Sequence, residues 1–162
     1  MTRTRRPLPG PRVLSVSAAL FVLAAAGCSA GGSQPSVAVP TPSSEAAGYC
    51  EALHGELPET VAGLERSDPS PESDLTAGWG DGAIVLRCGV PRPARMDDSQ
   101  SKAVEADGVN WLLEQREGDG PRFTTTYRKA YVEVTLGPKY AHDATPLSAF
   151  AAPVAKTVPG SL

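Results

Sequence analysis

The sequence predicts an α+β fold: a small antiparallel sheet of about four strands, with an N-terminal and a C-terminal helix packed on one face and one disulfide. Three observations lead to this prediction. Apolar residues repeat at helical spacing before residue 58 and after residue 145. Between them lie four segments rich in β-branched and aromatic residues. Polar or glycine-rich stretches separate these segments, as expected for connections in an antiparallel sheet.

Residues 1–27 have the three-part layout of a secretory signal peptide. Four arginines precede an uncharged, mostly apolar run of 14 residues, 13–26, and small residues follow. A bilayer-spanning helix needs about 20 apolar residues, so we expect this run to be cleaved rather than retained as an anchor helix, which is the alternative. The arginine pair leaves the general and the twin-arginine export routes both open.

Ala26-Gly27-Cys28 closes the leader and resembles the lipobox of bacterial lipoproteins. In that family the cysteine thiol is diacylated and then becomes the first residue of the mature chain. Two or more acyl chains hold a protein stably on a membrane, whereas one holds it only marginally. We therefore predict lipidation at Cys28 and a protein anchored on the cell membrane, facing outside the cytoplasm.

The mature chain is acidic. The whole chain has 15 basic and 18 acidic residues, and the leader contains four of the basic and none of the acidic ones, which leaves a net charge of −7. Because nucleic-acid binding needs a basic patch, this balance argues against a nucleic-acid partner. It is typical of a soluble surface.

Residues 28–47 are predicted to be a flexible tether and residues 48–162 a single domain. The tether is rich in Ser, Pro, Gly and Ala and has no aromatic residue, so it cannot bury enough apolar surface to offset its ordering entropy. Its prolines favour polyproline II, at about 3.1 Å per residue. Such a tether would lift the domain several tens of ångströms from the membrane.

The first helix is predicted from apolar residues at i, i+4, i+7 and i+11, which are Ala46, Cys50, Leu53 and Leu57. Pro58 should end it, with a second short helical turn in residues 59–64 and a surface loop in residues 66–76. Glycines then lead into the most β-like segment, residues 84–90, in which alternate side chains share a face. Residues 92–107 are polar, and we expect a loop there with one helical turn near residues 101–105.

Three further strands are predicted at residues 109–116, 122–128 and 131–136. The last two should form a hairpin, although their link lacks the Gly or Asn of a tight turn, so that one long bulged strand is the alternative. Thr145 and Pro146 are typical of a helix start. Pro153 should kink or end this second helix.

With Cys28 lipidated, Cys50 and Cys88 remain, and two cysteines in an exported chain have one pairing. Both lie on the presumed core faces of their elements. A bond between them would close a loop of about 39 residues and stabilise the fold by roughly 4 kcal/mol. The alternatives are two buried thiols or a redox pair, but the chain has no CxxC motif. We predict a structural disulfide.

No motif for catalysis, phosphate binding or dinucleotide binding occurs in the sequence. Its two histidines, His54 and His142, do not form a zinc site, which usually takes at least three protein ligands. We therefore expect no enzyme activity, no cofactor and no metal site.

Four residues are candidates for ligand binding: Arg87, Trp111, Arg128 and Tyr131. Guanidinium groups beside aromatic rings on an open sheet face could hold a carboxylate, a phosphate or a sugar. In the favoured alternative, Trp79 and Trp111 belong to the core and the arginines pair with acids of neighbouring strands, namely Glu133 or Glu114.

Short motifs along the chain also carry a resemblance. They are Cys50-x-x-Leu53, Leu57-Pro58, Trp79-Gly80, Ile84-Val-Leu-Arg-Cys-Gly-Val90, Gly108-Val-Asn-Trp111 and Tyr131-Val-Glu-Val134. Together they resemble the small actinobacterial lipoproteins of the domain-of-unknown-function 3515 family. The resemblance implies an exported or membrane-anchored protein and no assigned activity, so no catalytic residue can be carried over.

The sequence thus predicts a lipid-anchored cell-envelope module that binds or interacts without catalysis. Its partners would be the membrane, through the lipid on Cys28, and an envelope protein or a small anionic or sugar ligand. An accessory subunit of a membrane complex and a cell-wall enzyme with a hidden site are the alternatives.

Overall fold

The computed structural model describes residues 34–161, so the predicted signal peptide and Cys28 lie outside the described residues. The elements, in chain order, are α1 (Ser44–His54), β1 (Thr60–Val61), β2 (Leu64–Glu65), β3 (Thr76–Trp79), β4 (Ile84–Val90), β5 (Lys102–Ala106), β6 (Val109–Glu114), β7 (Arg122–Thr125), β8 (Tyr131–Leu136) and α2 (Ser148–Thr157). The predicted α+β class is confirmed. Among the described residues, no helix is both long and apolar enough to cross a membrane.

The main sheet has six antiparallel strands in the order β3-β4-β8-β7-β6-β5, so the prediction of about four strands is wrong. The sequence-based prediction lacks the strands β3 and β5. In β3 the residues Ala77 and Gly78 favour strands weakly, but the strand is buried along its whole length. In β5, predicted as loop and helical turn, the side chains are mostly exposed, so the pattern of a buried face is absent.

The structure contains two hairpins, one in a region where the sequence predicts a helical turn and one where it predicts a hairpin. The helical turn predicted at residues 59–64 is wrong, because β1 and β2 pair there as a small hairpin. Ala62 and Gly63 have φ of 50° and 76°, which suits a tight two-residue hairpin turn and not a helix. The hairpin of β7 and β8 is confirmed, with Phe123 opposite Val134, so the single bulged strand is excluded.

One face of the main sheet packs against both helices and forms the core. Trp79 of β3 lies 5.1 Å from Phe150 of α2, measured between ring centroids. Its indole nitrogen donates a hydrogen bond of 2.9 Å to the carbonyl of Pro58, which anchors the chain just after α1. Trp111 of β6 is fully buried in the same core cluster. Both tryptophans therefore have the structural role favoured from the sequence.

The predicted disulfide is present and joins α1 to β4. Cys50 and Cys88 are bonded, with their Cα atoms 5.5 Å apart, and both are buried. This bond holds α1 on the core face of the sheet.

The second helix continues past Pro153 to Thr157, so of the two predicted outcomes, a kink or an end near the proline, the end is excluded. Pro153 removes one backbone hydrogen bond, but Phe150 and Val154 on either side are fully buried and hold the helix in place. The Thr145 hydroxyl does not cap the helix as predicted. Instead the carboxylate of Asp143 accepts a hydrogen bond of 2.9 Å from the Thr145 backbone N–H.

Residues 34–43 form an N-terminal strap that lies along β4. Pro35 packs on Gly82 before β4 and Pro42 on Gly89 near its end, so closely that a Cβ at either glycine would lie within 3 Å of the proline ring. The Ala38 carbonyl accepts a hydrogen bond of 3.3 Å from Arg87. The predicted tether of residues 28–47 is therefore too long, because residues 34–43 contact the domain and residues 44–47 belong to α1. Because prolines lose little backbone freedom on ordering, the prolines of the strap lower the entropic cost of holding it against the domain.

Removal of the disulfide should destabilise the domain strongly. The bond spans a sequence separation of 38 residues, which corresponds to about 4 kcal/mol of loop-closure entropy in the unfolded chain. We expect Cys50→Ser/Cys88→Ser to lose about that much unfolding free energy in urea denaturation followed by circular dichroism. Wild type in reductant is the control and should behave like the variant; an unchanged midpoint in both would contradict this account.

Candidate functional site

The four predicted binding residues do not converge on one site. Trp111 is in the core, while Arg87 lies on the opposite face of the sheet, as the strand register requires. Arg128 donates a hydrogen bond of 2.9 Å to the carbonyl of Val158 and so holds the C-terminal segment. Tyr131 lines a cleft of about 290 Å³, whereas Arg87 lines a separate, more open depression of about 280 Å³.

A ladder of charges crosses the sheet face opposite the helices. Arg87 Nε lies 2.9 Å from Glu133 Oε1, and Arg122 lies 3.0 Å from Glu114 and 3.8 Å from Glu133. The hydrogen bond from Arg122 to Glu114 raises the pKa of the guanidinium above its ordinary value. Arg87 thus pairs with a neighbouring strand as the favoured interpretation predicted, whereas Glu114 pairs with Arg122 and not with Arg128.

The ladder borders a shallow depression of about 280 Å³ beside the strap. Arg116 also lines it, but donates to the backbone carbonyl of Gly120 at 3.3 Å. Because the arginines in this depression are already bonded to acids or carbonyls, an anion would have to displace protein partners to bind them. The depression is therefore a weak candidate.

A better-formed site lies where the chain crosses from β4 to the far edge of the sheet. Since β8, β7 and β6 lie between β4 and β5, residues 91–101 must cross three strands. They form one wall of a cleft of about 290 Å³, which we call the tyrosine cleft. Its lining residues are Arg92, Met96, Asp98, Ser101, Lys102, Ala103, Leu112, Thr126, Tyr127, Tyr131 and Ser161.

Tyr127 has an unusual conformation at the rim of this cleft. It is 60% exposed, and among the described residues it is the one large hydrophobic side chain that is exposed. Its φ is 55°, a left-handed conformation that is uncommon for a bulky residue. The C-terminal segment holds it there, because the Ser161 N–H donates to the Tyr127 carbonyl at 3.0 Å and the Lys129 N–H donates to the Pro159 carbonyl at 3.0 Å.

The crossing loop is stiffened by its own hydrogen bonds. The Arg92 guanidinium donates to both carboxylate oxygens of Asp97 at 2.8 Å, the bidentate geometry that orients such pairs best. This hydrogen bonding holds the pKa of Asp97 below its ordinary value. The Ser101 hydroxyl donates to the Arg95 carbonyl at 2.6 Å and closes the loop. The cleft therefore has a preformed wall.

The cleft can both donate and accept hydrogen bonds. Asp98 contributes a carboxylate and Ser161 a hydroxyl to its lining, and Tyr127 and Tyr131 contribute aromatic rings that carry hydroxyl groups. Among residues 34–161, no group of three or more His, Cys, Asp or Glu side chains is placed to hold a metal ion.

Sequence reasoning missed most of this site. The sequence predicts the polar segment that contains Arg92, Asp98 and Lys102 as a loop with one helical turn near residues 101–105, because no periodicity marks a segment that crosses a sheet. Tyr127 gave one usable signal: a hairpin without Gly or Asn must place a residue with a side chain in a left-handed conformation. The position of that residue depends on the register of β7 and β8.

Comparison with known proteins gives one match. The family model described as "Protein of unknown function (DUF3515)" matches residues 12–161. No curated protein and no solved structure matches the chain.

The ion pair between Arg92 and Asp97 can be tested by titration. We expect the pKa of Asp97 to rise to its ordinary value in Arg92→Gln, because the hydrogen bonds that depress it are lost. Since the folded pKa is the lower one, the pair stabilises the loop above the unfolded pKa, and this is lost as pH falls through the folded pKa.

Carboxylate carbon NMR across acidic pH measures both forms. Asp143, whose pKa is lowered by its hydrogen bonds with Thr145, is the internal control and should titrate identically in wild type and variant. If the titration of Asp97 does not move, Arg92 is not the cause of the depression.

Proposed function

The chain belongs to the DUF3515 family of proteins of unknown function, and from that starting point we propose that it is a lipid-anchored extracytoplasmic module that binds a ligand in the tyrosine cleft without catalysis. The observation that carries this proposal is Tyr127. Its left-handed backbone conformation costs roughly 1–2 kcal/mol relative to a right-handed one, because the residue has a Cβ atom, and its aromatic ring is exposed. Such strain persists where surrounding structure imposes it, and it clusters at binding sites.

The path of the strap bears on where the tyrosine cleft lies relative to a lipid anchor on Cys28. If Cys28 carries the lipid, the five residues 29–33 separate it from the strap, and the six residues from Cys28 to residue 33 span at most about 20 Å. The strap then follows β4 from Gly82 to Gly89, and Tyr131 pairs with Val90 at the end of that strand. The tyrosine cleft therefore lies near the end of β4, whereas residue 35, at the beginning of the strap, lies beside Gly82 before β4 begins.

An accessory-subunit role has one observation in its favour. The strand β5 forms an edge of the sheet, and an exposed edge can accept an added strand from a protein partner. Lys102 and Glu105 on this short strand are, however, the kind of charged residues that discourage edge pairing. The tyrosine cleft is therefore the preferred site.

The anchor is tested with the full-length chain in a bacterium that makes lipoproteins. We expect wild type to incorporate labelled palmitate and to sediment with membranes, and Cys28→Ala to do neither, because that thiol accepts the lipid. The double variant Cys50→Ser/Cys88→Ser is the control and should still be labelled. Label retained in Cys28→Ala, or absent from wild type, would exclude lipidation at Cys28.

Binding in the cleft is tested by photocrosslinking on intact membranes. A photoreactive phenylalanine replaces Ser161, which is exposed and lines the cleft. The same replacement at Glu72, exposed but in the loop before β3, is the matched control. We expect an adduct at position 161 and none at position 72, identified by mass spectrometry.

Each outcome of this crosslinking decides between roles. A small-molecule or glycan adduct at position 161 supports ligand binding in the cleft. A protein adduct there favours the accessory subunit. No adduct, or equal adducts at both positions, contradicts the proposal.

A further inference from the structure

We infer that the ligand of the tyrosine cleft is a neutral saccharide, an inference that rests on the binding role proposed above. Its basis is the combination of exposed aromatic surface, balanced charge and mixed donors and acceptors in one small cleft. The chemistry of each feature narrows the ligand class.

The rings provide the first restriction. Tyr127 exposes most of its surface at the rim, and Tyr131 supplies a second, half-buried ring in the same cleft. Aromatic side chains contribute large, rigid contact area with a polar tip. Such a surface suits a flat ligand that has apolar faces and polar edges, such as a sugar ring or an aromatic heterocycle.

The charges provide the second restriction. Arg92 is neutralised by two hydrogen bonds to Asp97, which leaves Lys102 and Asp98 as charges of opposite sign on the lining. A phosphate or carboxylate site would instead present unpaired guanidinium groups. The carboxylate of Asp98 would also repel an anion. The cleft therefore favours a ligand without net charge.

The hydrogen-bonding groups provide the third restriction. The Asp98 carboxylate accepts a hydrogen bond of 2.9 Å from the Gln100 backbone N–H and has further acceptor capacity, while the hydroxyl groups of Ser161 and of the tyrosines can both donate and accept. A ligand that satisfies all of them needs donors and acceptors around its whole edge, as a ring of hydroxyl groups has. At about 290 Å³, the cleft lies at the small end of the range for ligand sites, roughly 300–1,000 Å³, which suits a short saccharide or the end of a glycan.

The inference is tested by amide NMR on the full mature lipoprotein in nanodiscs. The neutral probes are maltose, cellobiose and N,N′-diacetylchitobiose, and the anionic probes are glucuronate and inorganic phosphate. We expect a neutral probe to shift the amides of Lys102, Thr126 and Tyr127, and the anionic probes to leave them in place.

Two variants of Tyr127 separate binding from folding. Tyr127→Gly removes the ring but suits the left-handed backbone, so its thermal midpoint should equal or exceed that of wild type while saccharide affinity falls about tenfold. Tyr127→Phe keeps the ring and should retain binding within a few-fold. Loss of affinity in a fully folded Tyr127→Gly thus reports the ring itself.

The outcomes distinguish this inference from the proposed function. If no neutral probe shifts the cleft, or if an anionic probe shifts it more strongly, the saccharide class is wrong, and an adduct at position 161 would still support a binding module. Saccharide shifts that persist unchanged in Tyr127→Gly would overturn the site. Absence of any adduct at position 161 would overturn the binding role.

Discussion

The pairing of β4 with β8 is the constraint on which the rest of this structure depends. Because the last strand of the sheet pairs beside β4, the chain that leaves β4 must cross three strands before it can form β5. That crossing creates the wall of the tyrosine cleft. The same pairing places Arg87 opposite Glu133 and starts the charge ladder. The disulfide at Cys88 adds α1 to this strand, and α1 in turn directs the strap along it.

The charge ladder and the tyrosine cleft differ in how their charged groups are paired. In the ladder each carboxylate lies within 4 Å of a guanidinium group, so its charges stabilise the sheet surface and leave little attraction for an outside anion. In the tyrosine cleft the bidentate pair of Arg92 with Asp97 stiffens the loop, and Lys102 and Asp98 are among the lining residues. The paired charges hold the loop in place, and in the proposed binding role the rings and hydroxyl groups of the cleft would contact the ligand.

Much of the fold was predictable because its signals are local. The apolar spacing around Cys50 and the alternation from Ile84 onward both reflect burial on one face, and both elements formed as expected. The sequence does not predict β3 because this strand is short and contains glycine, and it does not predict β5 because this strand is an exposed edge without a buried face. The site was less predictable. For Trp111 the sequence indicates a core position, and for Arg87 an ion pair, as the alternatives to ligand binding. It does not indicate Tyr127, because the conformation of Tyr127 depends on a contact with Ser161, which lies far along the chain.

By itself, the sequence determined the fold class, the pairing of Cys50 with Cys88 and the core role of both tryptophans, because cysteine count and apolar periodicity express burial directly. Only the tertiary structure decided the strand order, the position of the strap and the existence of the cleft. These features arise from contacts between segments far apart in the chain, such as Pro35 with Gly82 and Tyr127 with Ser161. No local pattern encodes such contacts, because each segment alone has the composition of an ordinary loop.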